Sequence, residues 1–167
     1  MTSEARDSID DERMTPTLYD WAGGVDALAR LINRFYDRVE NDDLLAPFFP
    51  GGVTPAHREH VAAWWGEVFG GPPVYTEFLG GYESMLMHHR GLGITPEQRG
   101  RFVALMSLAA DDALLPDDPE FRSALLAYLE WGTRIAMHNS QPNAEVLEHA
   151  PVPRWGWGVA PPWNPRG

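Results

Sequence analysis

The strongest constraint on the fold of this chain is a helical repeat of apolar side chains between residues 25 and 40. The repeat follows the spacing i, i+3, i+4, i+7, i+8, i+11 and consists of Leu28, Leu31, Ile32, Phe35, Tyr36 and Val39. That spacing puts all of them on one face of an α-helix. The pattern therefore predicts a long amphipathic helix from about Val25 to Glu40, with Phe35 and Tyr36 on its buried face.

Three further helices are predicted from their start signals. Thr54-Pro55 supplies an N-cap and a first-turn proline for a helix that ends near Phe69. Residues 95–98, Thr-Pro-Glu-Gln, form a capping box for a helix to about Leu115, and Asp118-Pro119 begins a helix to about Asn139. Between them, residues 74–93 are expected to hold only one or two helical turns. Four main helices and no alternating strand pattern predict an all-α domain.

The two ends of the chain differ from this helical region. Residues 1–14 are polar and acidic without an apolar period, so we expect a disordered leader before a domain at residues 15–141. Residues 142–167 form a Pro/Trp-rich extension that holds Trp155, Trp157 and Trp163. Exposing three indoles has a hydrophobic cost, so we expect this extension to pack on the domain or on a second copy.

Charge and composition narrow the classes of function. The formal net charge is -11, which repels nucleic-acid backbones and anionic lipid surfaces, so neither is an expected partner. The chain has no cysteine, so a metal must be held by histidine or carboxylates. It contains no run of about 20 apolar residues and no secretion signal, and this predicts a cytoplasmic protein.

The segment from Met85 to Thr95 places histidines among apolar residues and glycines, which suggests an axial ligand facing haem. His89 is the candidate proximal ligand. Tyr36 and His57, on two different predicted helices, are candidate hydrogen-bond donors to a bound gas. Taken singly, a core tyrosine or a solvated histidine is the commoner interpretation of such residues, and the joint pattern favours the haem pocket.

Several motifs together resemble a truncated haemoglobin, most similar to the second group of that family. They are Phe35-Tyr36-Asp37-Arg38-Val39, the segment from Leu44 to Phe49, residues 70–77 (Gly-Gly-Pro-Pro-Val-Tyr-Thr-Glu), His89 five residues before Ile94, and residues 125–130 (Leu-Leu-Ala-Tyr-Leu-Glu). The resemblance extends from about Leu18 to Asn139.

The resemblance implies a globin-like two-over-two helical sandwich around haem b, with residues 15–141 as the haem domain, His89 as the iron ligand and Tyr36 in the distal pocket. His88 is the rival ligand, because the chain has one extra residue between Gly80 and His89. The spacing of thirteen residues from His89 to Phe102 fits the family better. The expected cofactor contacts are Tyr36, Phe48, Phe49, His57, His60, Val61, Met85, Leu86, Leu92, Ile94, Phe102 and Met106.

The chain also departs from the second-group pattern at two distal positions. Phe102 stands where a tryptophan is typical, and His57 stands where the residue is often small or apolar. His57 is the third residue of its predicted helix, where the helix dipole favours neutral imidazole. His60, Arg58 and Arg90 are expected at the rim, where a haem propionate needs a cation.

We therefore predict a haem protein that binds dioxygen reversibly, with nitric oxide and carbon monoxide as further ligands. One alternative is a peroxidase-like or nitric-oxide-detoxifying enzyme that draws electrons from an unidentified reductase. The other is a cofactor-free helical module that uses the Trp/Pro extension to bind a partner. Monomer and homodimer both stay open.

Overall fold

The computed structural model describes residues 15–162, and all regular secondary structure in that range is helical. The α-helices are α1 (Leu18–Ala22), α2 (Gly24–Glu40), α3 (Pro55–Val68), α4 (Val74–Phe78), α5 (Gly81–His89), α6 (Pro96–Asp112) and α7 (Pro119–Asn139). A short 3-10 helix, Ala46–Phe48, lies between α2 and α3. The predicted all-α class is confirmed.

The long helices form two pairs that pack on one another. Helix α2 contacts both α3 and α6, and α6 contacts α7. This is the predicted two-over-two sandwich. Its centre is built from the apolar face of α2, where Leu31, Ile32 and Phe35 are fully buried, and from Phe121 and Leu129 of α7.

The predicted start signals cap the helices as expected. Thr54 Oγ1 accepts a hydrogen bond from the backbone N–H of His57 at 3.1 Å. Thr95 and Gln98 form a reciprocal capping box, and Asp118 accepts from the N–H of Phe121 at 3.0 Å. Each bond satisfies an N–H that the first helical turn leaves without a partner, and this fixes where α3, α6 and α7 begin.

The prediction for residues 74–93 was wrong in extent. Two helices occupy this segment, α4 and the nine-residue α5. The glycines separate the helices instead of weakening them, since Gly80 takes φ 89° and lies at the N-cap of α5. Helix α6 also ends at Asp112, earlier than Leu115, and the chain turns at Leu114 with φ 56°.

The C-terminal extension packs on the helices, as predicted, within the part of it that the structure describes. The backbone N–H of Trp155 donates to Val68 O at 2.7 Å, and its indole N–H donates to Ala124 O at 3.1 Å. The indole N–H of Trp157 donates to Pro16 O at 2.8 Å. Val152 is buried. Trp163 and the predicted disordered leader, residues 1–14, lie outside the described residues.

Across residues 15–162 no helix combines the length and apolar character that crossing a bilayer requires.

Candidate functional site

A cavity of about 480 Å³ lies between the helices and collects nearly every residue predicted to contact the cofactor. Its size is ordinary for a cofactor site. The predicted residues that line it are Tyr36, Phe48, Phe49, His57, His60, Val61, Met85, Leu86, Leu92, Ile94 and Phe102, together with His88 and His89. The exception is Met106, which is fully buried in the core and does not line the cavity. Met106 lies one helical turn beyond Phe102, deeper between the helix pairs.

Three rings from three elements form a polar corner of this cavity. The hydroxyl of Tyr36 lies 3.1 Å from Nε2 of His57. Phe49 packs edge-on against both, with ring centroids 5.5 Å from Tyr36 and 5.3 Å from His57. Aromatic pairs prefer such tilted geometries, so Phe49 fixes the orientation of the two polar rings.

Burial sets the protonation of this corner. It raises the pKa of the Tyr36 hydroxyl far above its ordinary value, although the nearby charge of Arg58 partly offsets this effect. It lowers the pKa of His57, with smaller contributions from the charges of His88, His60 and His89. The direction for His57 agrees with the sequence-based expectation, but burial is the largest cause. At neutral pH both groups are therefore neutral hydrogen-bonding partners.

The two candidate iron ligands occupy the C-terminal turn of α5 with different exposure. His88 is exposed, and its Nδ1 lies 2.6 Å from Ser84 O. His89 is half-buried, and its Nδ1 lies 2.9 Å from Met85 O. Burial lowers the pKa of His89, while the bond to Met85 O opposes this. In both rings an Nδ1–H donated to the carbonyl leaves Nε2 free as a base.

Phe102 closes the cavity without a polar group. Its ring lies 4.6 Å from that of Phe35, measured between centroids. Since a phenyl ring has no N–H or O–H, this wall offers no conventional hydrogen bond to a ligand. The hydrogen-bonding side chains of this corner are therefore Tyr36 and His57.

The cationic rim differs from the prediction. Arg58 does not line the cavity, because its guanidinium is held by Asp37 and Glu40 at 2.8 and 3.0 Å. Arg90 is paired with Glu148 at 3.2 Å and also does not line it. Arg99, which sequence reasoning missed, does line the cavity. Its position in the first turn after the capping box was the available signal.

Further lining residues were also missed. They come from α3, α4, α7 and the C-terminal extension and include Trp64, Trp65, Tyr75, Tyr128, Trp131, Thr133, Ala136 and Pro153. The helical period could have found Trp64, which follows the lining residue Val61 by three positions. No sequence signal points to Pro153, because its place depends on the path of an irregular segment.

A second depression, of about 620 Å³, lies at the surface between α2 and α6. It is lined mainly by charged and amide side chains, including the ion pair of Arg38 with Asp112. Such walls do not suit a large apolar ring system.

The cavity between the helices does suit a large apolar ring system. Apolar side chains form most of its wall, and a half-buried neutral imidazole, His89, offers the single protein ligand that haem iron takes on its proximal side. Tyr36 and His57 supply polar groups for a small ligand, and Arg99 supplies a cation for a carboxylate. The residues present thus fit haem.

Comparisons with known proteins agree with this geometry. The family model described as "Bacterial-like globin" matches residues 17–134. The group 2 truncated hemoglobin YjbI of Bacillus subtilis is 30% identical over 118 residues, which cover 71% of this chain and 86% of YjbI.

Two solved structures show the same fold. The group II truncated hemoglobin of Bacillus anthracis superposes with a TM-score of 0.66 at 25% identity, covering 78% of this chain and 98% of that one. A truncated haemoglobin from Bacillus subtilis, described as oxygen-avid, superposes with a TM-score of 0.64 at 29% identity, covering 75% of this chain and 100% of that one. The chain therefore belongs to the bacterial-like globin family and is a truncated haemoglobin, a haem globin.

Proposed function

We propose that this globin binds haem b through His89 and holds dioxygen reversibly beside Tyr36 and His57. The observation that carries the proposal is the 3.1 Å contact between the Tyr36 hydroxyl and His57 Nε2 at the wall of a mainly apolar cavity. The description of the Bacillus subtilis relative as oxygen-avid supports dioxygen as the ligand.

His89 is proposed over His88 because of its surroundings. Both imidazoles direct Nδ1 at a carbonyl one turn earlier, so both present a basic Nε2. His89 is the more buried ring, and burial keeps it neutral, which an iron ligand must be. His88 is exposed, so part of its ring would stay in contact with water.

Bound haem would supply an iron centre able to take a diatomic molecule, with His89 as the residue that would hold it. The chain supplies the polarity of the pocket. Tyr36 keeps its proton at any physiological pH, so it acts as a donor and never as an anion. A hydroxyl donor at the wall of a mainly apolar pocket would favour dioxygen over the less polar carbon monoxide.

The Tyr36 and His57 pair works as a relay of hydrogen bonds. A neutral His57 with its proton on Nε2 donates to the Tyr36 oxygen, which leaves the Tyr36 O–H free for the ligand. The other tautomer accepts from Tyr36 and withdraws its proton from the ligand. Hydrogen bonds in series strengthen one another, so the first tautomer makes Tyr36 the better donor.

Arg99 is proposed to hold a haem propionate. Its side chain is only 14% exposed, and its guanidinium lies 3.5 Å from Glu130 and 3.3 Å from the Thr133 hydroxyl, which are loose contacts. A carboxylate at the cavity mouth would give the guanidinium a tighter bidentate partner.

The test is a spectrum followed by ligand kinetics. Protein purified with haem supplied should show an intense porphyrin absorption band, and the ferrous form should take up and release dioxygen. Absence of the band would exclude a haem protein and favour the interaction module. A band that survives in His89→Ala but is lost in His88→Ala would reverse the proposed ligand.

A further inference from the structure

We infer that two copies of this chain associate through the surface between α2 and α6. We call this surface the α2/α6 face and define it as the depression of about 620 Å³ described above together with Leu108 and Leu114. The inference does not depend on haem, because it concerns the side of α2 that points away from the cavity. Arg34 and Arg38 line the depression, whereas Tyr36 lines the cavity.

Leu114 holds an apolar side chain in water at one end of this face. It is 86% exposed, and its φ of 56° is a left-handed conformation that favours glycine. The N–H of Leu114 donates to Asp111 O and that of Leu115 donates to Ala110 O, each at 3.0 Å. These two bonds form a Schellman motif, in which glycine is the usual residue at the position of Leu114. A leucine here costs conformational energy and exposes apolar surface, so folding alone does not favour it.

Two arginines hold the turn that carries Leu114. Arg30 donates from Nε to Ala113 O at 3.4 Å, and Arg122 donates from Nε to Pro116 O at 2.7 Å. Pro116 itself is buried. Because the backbone is bonded on both sides of Leu114, its side chain is presented in a fixed position. A partner that covers it therefore loses little of its binding energy to ordering the turn.

Apolar side chains continue from Leu114 along the exposed side of α6. Leu108 is 45% exposed, and Leu105 lines the depression. Leu105, Leu108 and Asp112 follow the spacing i, i+3, i+7, which places them on one face of the helix. An exposed apolar row with charged residues beside it is typical of a protein–protein interaction site.

Charge favours a second copy of this chain as the occupant. The chain as a whole carries a formal net charge of -11, so two copies that approach through most of their surface repel one another. The α2/α6 face is the exception, because its arginines and aspartates cancel. The charged residues that line the depression, with the Arg101 that pairs with one of them, are Arg34, Arg38, Arg101, Asp37, Asp42 and Asp112. Two copies can meet here without net repulsion, whereas a polyanion or a strongly basic protein finds no excess of opposite charge.

Arg34 gives the face a charge that is left for a partner. The other two arginines are paired with aspartates of their own copy. Among the ion pairs of residues 15–162 none includes Arg34, and its side chain is exposed. Asp37 lies three positions further along α2, and although Arg58 holds one of its oxygens, its side chain is 54% exposed. In a two-fold pair with antiparallel α2 helices, Arg34 meets Asp37 of the partner subunit, and symmetry makes this contact twice.

The experiment is sedimentation velocity on the full-length protein, with and without bound haem. It covers about a thousandfold range of protein concentration, which spans three decades of dissociation constant. We expect a reversible equilibrium between monomer and dimer, with the same Kd in both forms. Hydrogen–deuterium exchange of the wild type should show protection of residues 105–114 that increases with protein concentration.

Charge reversal tests the electrostatic part of the face. Arg34→Glu should raise the Kd by about tenfold or more, because it places like charges opposite one another. Arg154→Glu is the matched control. Arg154 is exposed on the C-terminal extension, and its variant has the same net charge as Arg34→Glu. Its Kd should stay close to that of the wild type.

Removal of the exposed leucine tests the apolar part. Leu114→Gly should also raise the Kd by about tenfold. Glycine suits the left-handed backbone, so the thermal midpoint of the dilute variant should not fall, and this separates lost association from lost folding. Leu147→Gly is the matched control, since Leu147 is 70% exposed in an irregular segment outside the face.

A monomer at every concentration would overturn this inference. So would a dimer whose Kd is unchanged in both Arg34→Glu and Leu114→Gly. If Arg154→Glu raised the Kd as much as Arg34→Glu, net charge and not this face would control association, and the inference would fail. Haem uptake tests the proposed function separately, so the failure of one does not affect the other.

Discussion

The Tyr36 hydroxyl and Nε2 of His57 lie 3.1 Å apart, although the residues are on different helices. The bond ties the middle of α2 to the first turn of α3, where Thr54 caps the helix. One proton lies in this bond. If His57 donates it, the Tyr36 O–H stays free for a ligand; if Tyr36 donates it, that proton is no longer available to a ligand. The identity of each donor is therefore testable by removing one partner at a time.

Tyr36→Phe should accelerate dioxygen release. A hydrogen bond to a charged group is worth roughly 1.5–3 kcal/mol, which corresponds to about ten- to a hundred-fold in rate if the escaping ligand has lost it. His57→Leu should have a smaller effect, because Tyr36 keeps its own O–H. Stopped-flow release rates measure both.

Carbon monoxide provides the control for that prediction. It is less polar when bound, so its release should respond weakly to either substitution. If Tyr36→Phe leaves dioxygen release unchanged while His57→Leu accelerates it strongly, the two roles are reversed.

His89→Ala should lose bound haem or its five-coordinate spectrum, because no other half-buried imidazole ends α5. His88→Ala should keep both, since His88 is exposed. The pair is matched in chemistry and adjacent in sequence. Absorption and resonance Raman spectra of the two variants distinguish the ligand directly.

Arg99→Ala should speed haem transfer to an acceptor globin. Losing one charge-assisted bond at a partly screened rim should raise the rate constant roughly five- to tenfold. Arg101→Ala is the matched control, because Arg101 lies two residues on and pairs with Asp42 outside the cavity. Equal rates in both variants would mean that Arg99 holds no propionate.

The four long helices follow from the sequence, because caps and apolar periods are local signals, whereas most of the pocket residues were expected from the family resemblance. Thr54, Thr95 and Asp118 each mark a start that the structure keeps. The residues whose position was predicted wrongly are placed by packing between elements distant in sequence. Met106 shares a helix face with Phe102, yet depth between the helix pairs decides that only Phe102 reaches the cavity. Arg58 was expected at the rim, but carboxylates on α2 hold it away.

The C-terminal extension should contribute to stability. Deleting the chain from Pro151 onward removes the buried Val152 and two partly buried indoles, whose bonds reach Val68, Ala124 and Pro16. The two indoles are only partly buried, and each contributes less than a fully buried tryptophan would. We therefore expect the free energy of unfolding to fall by roughly 2–4 kcal/mol.

Thermal or urea unfolding measures that loss. Val159→Ala is the control, since Val159 is fully exposed and its truncation should leave the midpoint unchanged. An unchanged midpoint and association state after the deletion would show that the extension contributes no stability.

The haem-free protein should lose stability on acidification because of its cavity histidines. Burial lowers the pKa of His57 and of His89 in the folded state. The charges of His88, His60 and His89 act in the same direction on His57, whereas the bond to Met85 O partly opposes the effect of burial on His89. In the unfolded chain a histidine titrates at about 6.5. Above that pH neither state binds the proton, and stability is unaffected. Below it the unfolded state binds more protons, so stability falls until the folded pKa is reached.

Urea unfolding of the haem-free protein between pH 7.5 and 5 checks this sign (roughly one pH unit or more either side of the unfolded value). His57→Gln should make the decline shallower, because it removes one group that is held neutral by burial. Phe121→Leu is the control: Phe121 is fully buried in the core and does not line the cavity, so the substitution lowers the free energy of unfolding at every pH through lost packing, and its decline should parallel that of the wild type. A decline in His57→Gln as steep as in the wild type would mean that the folded state does not lower the pKa of His57 and that protonation of this ring does not oppose folding.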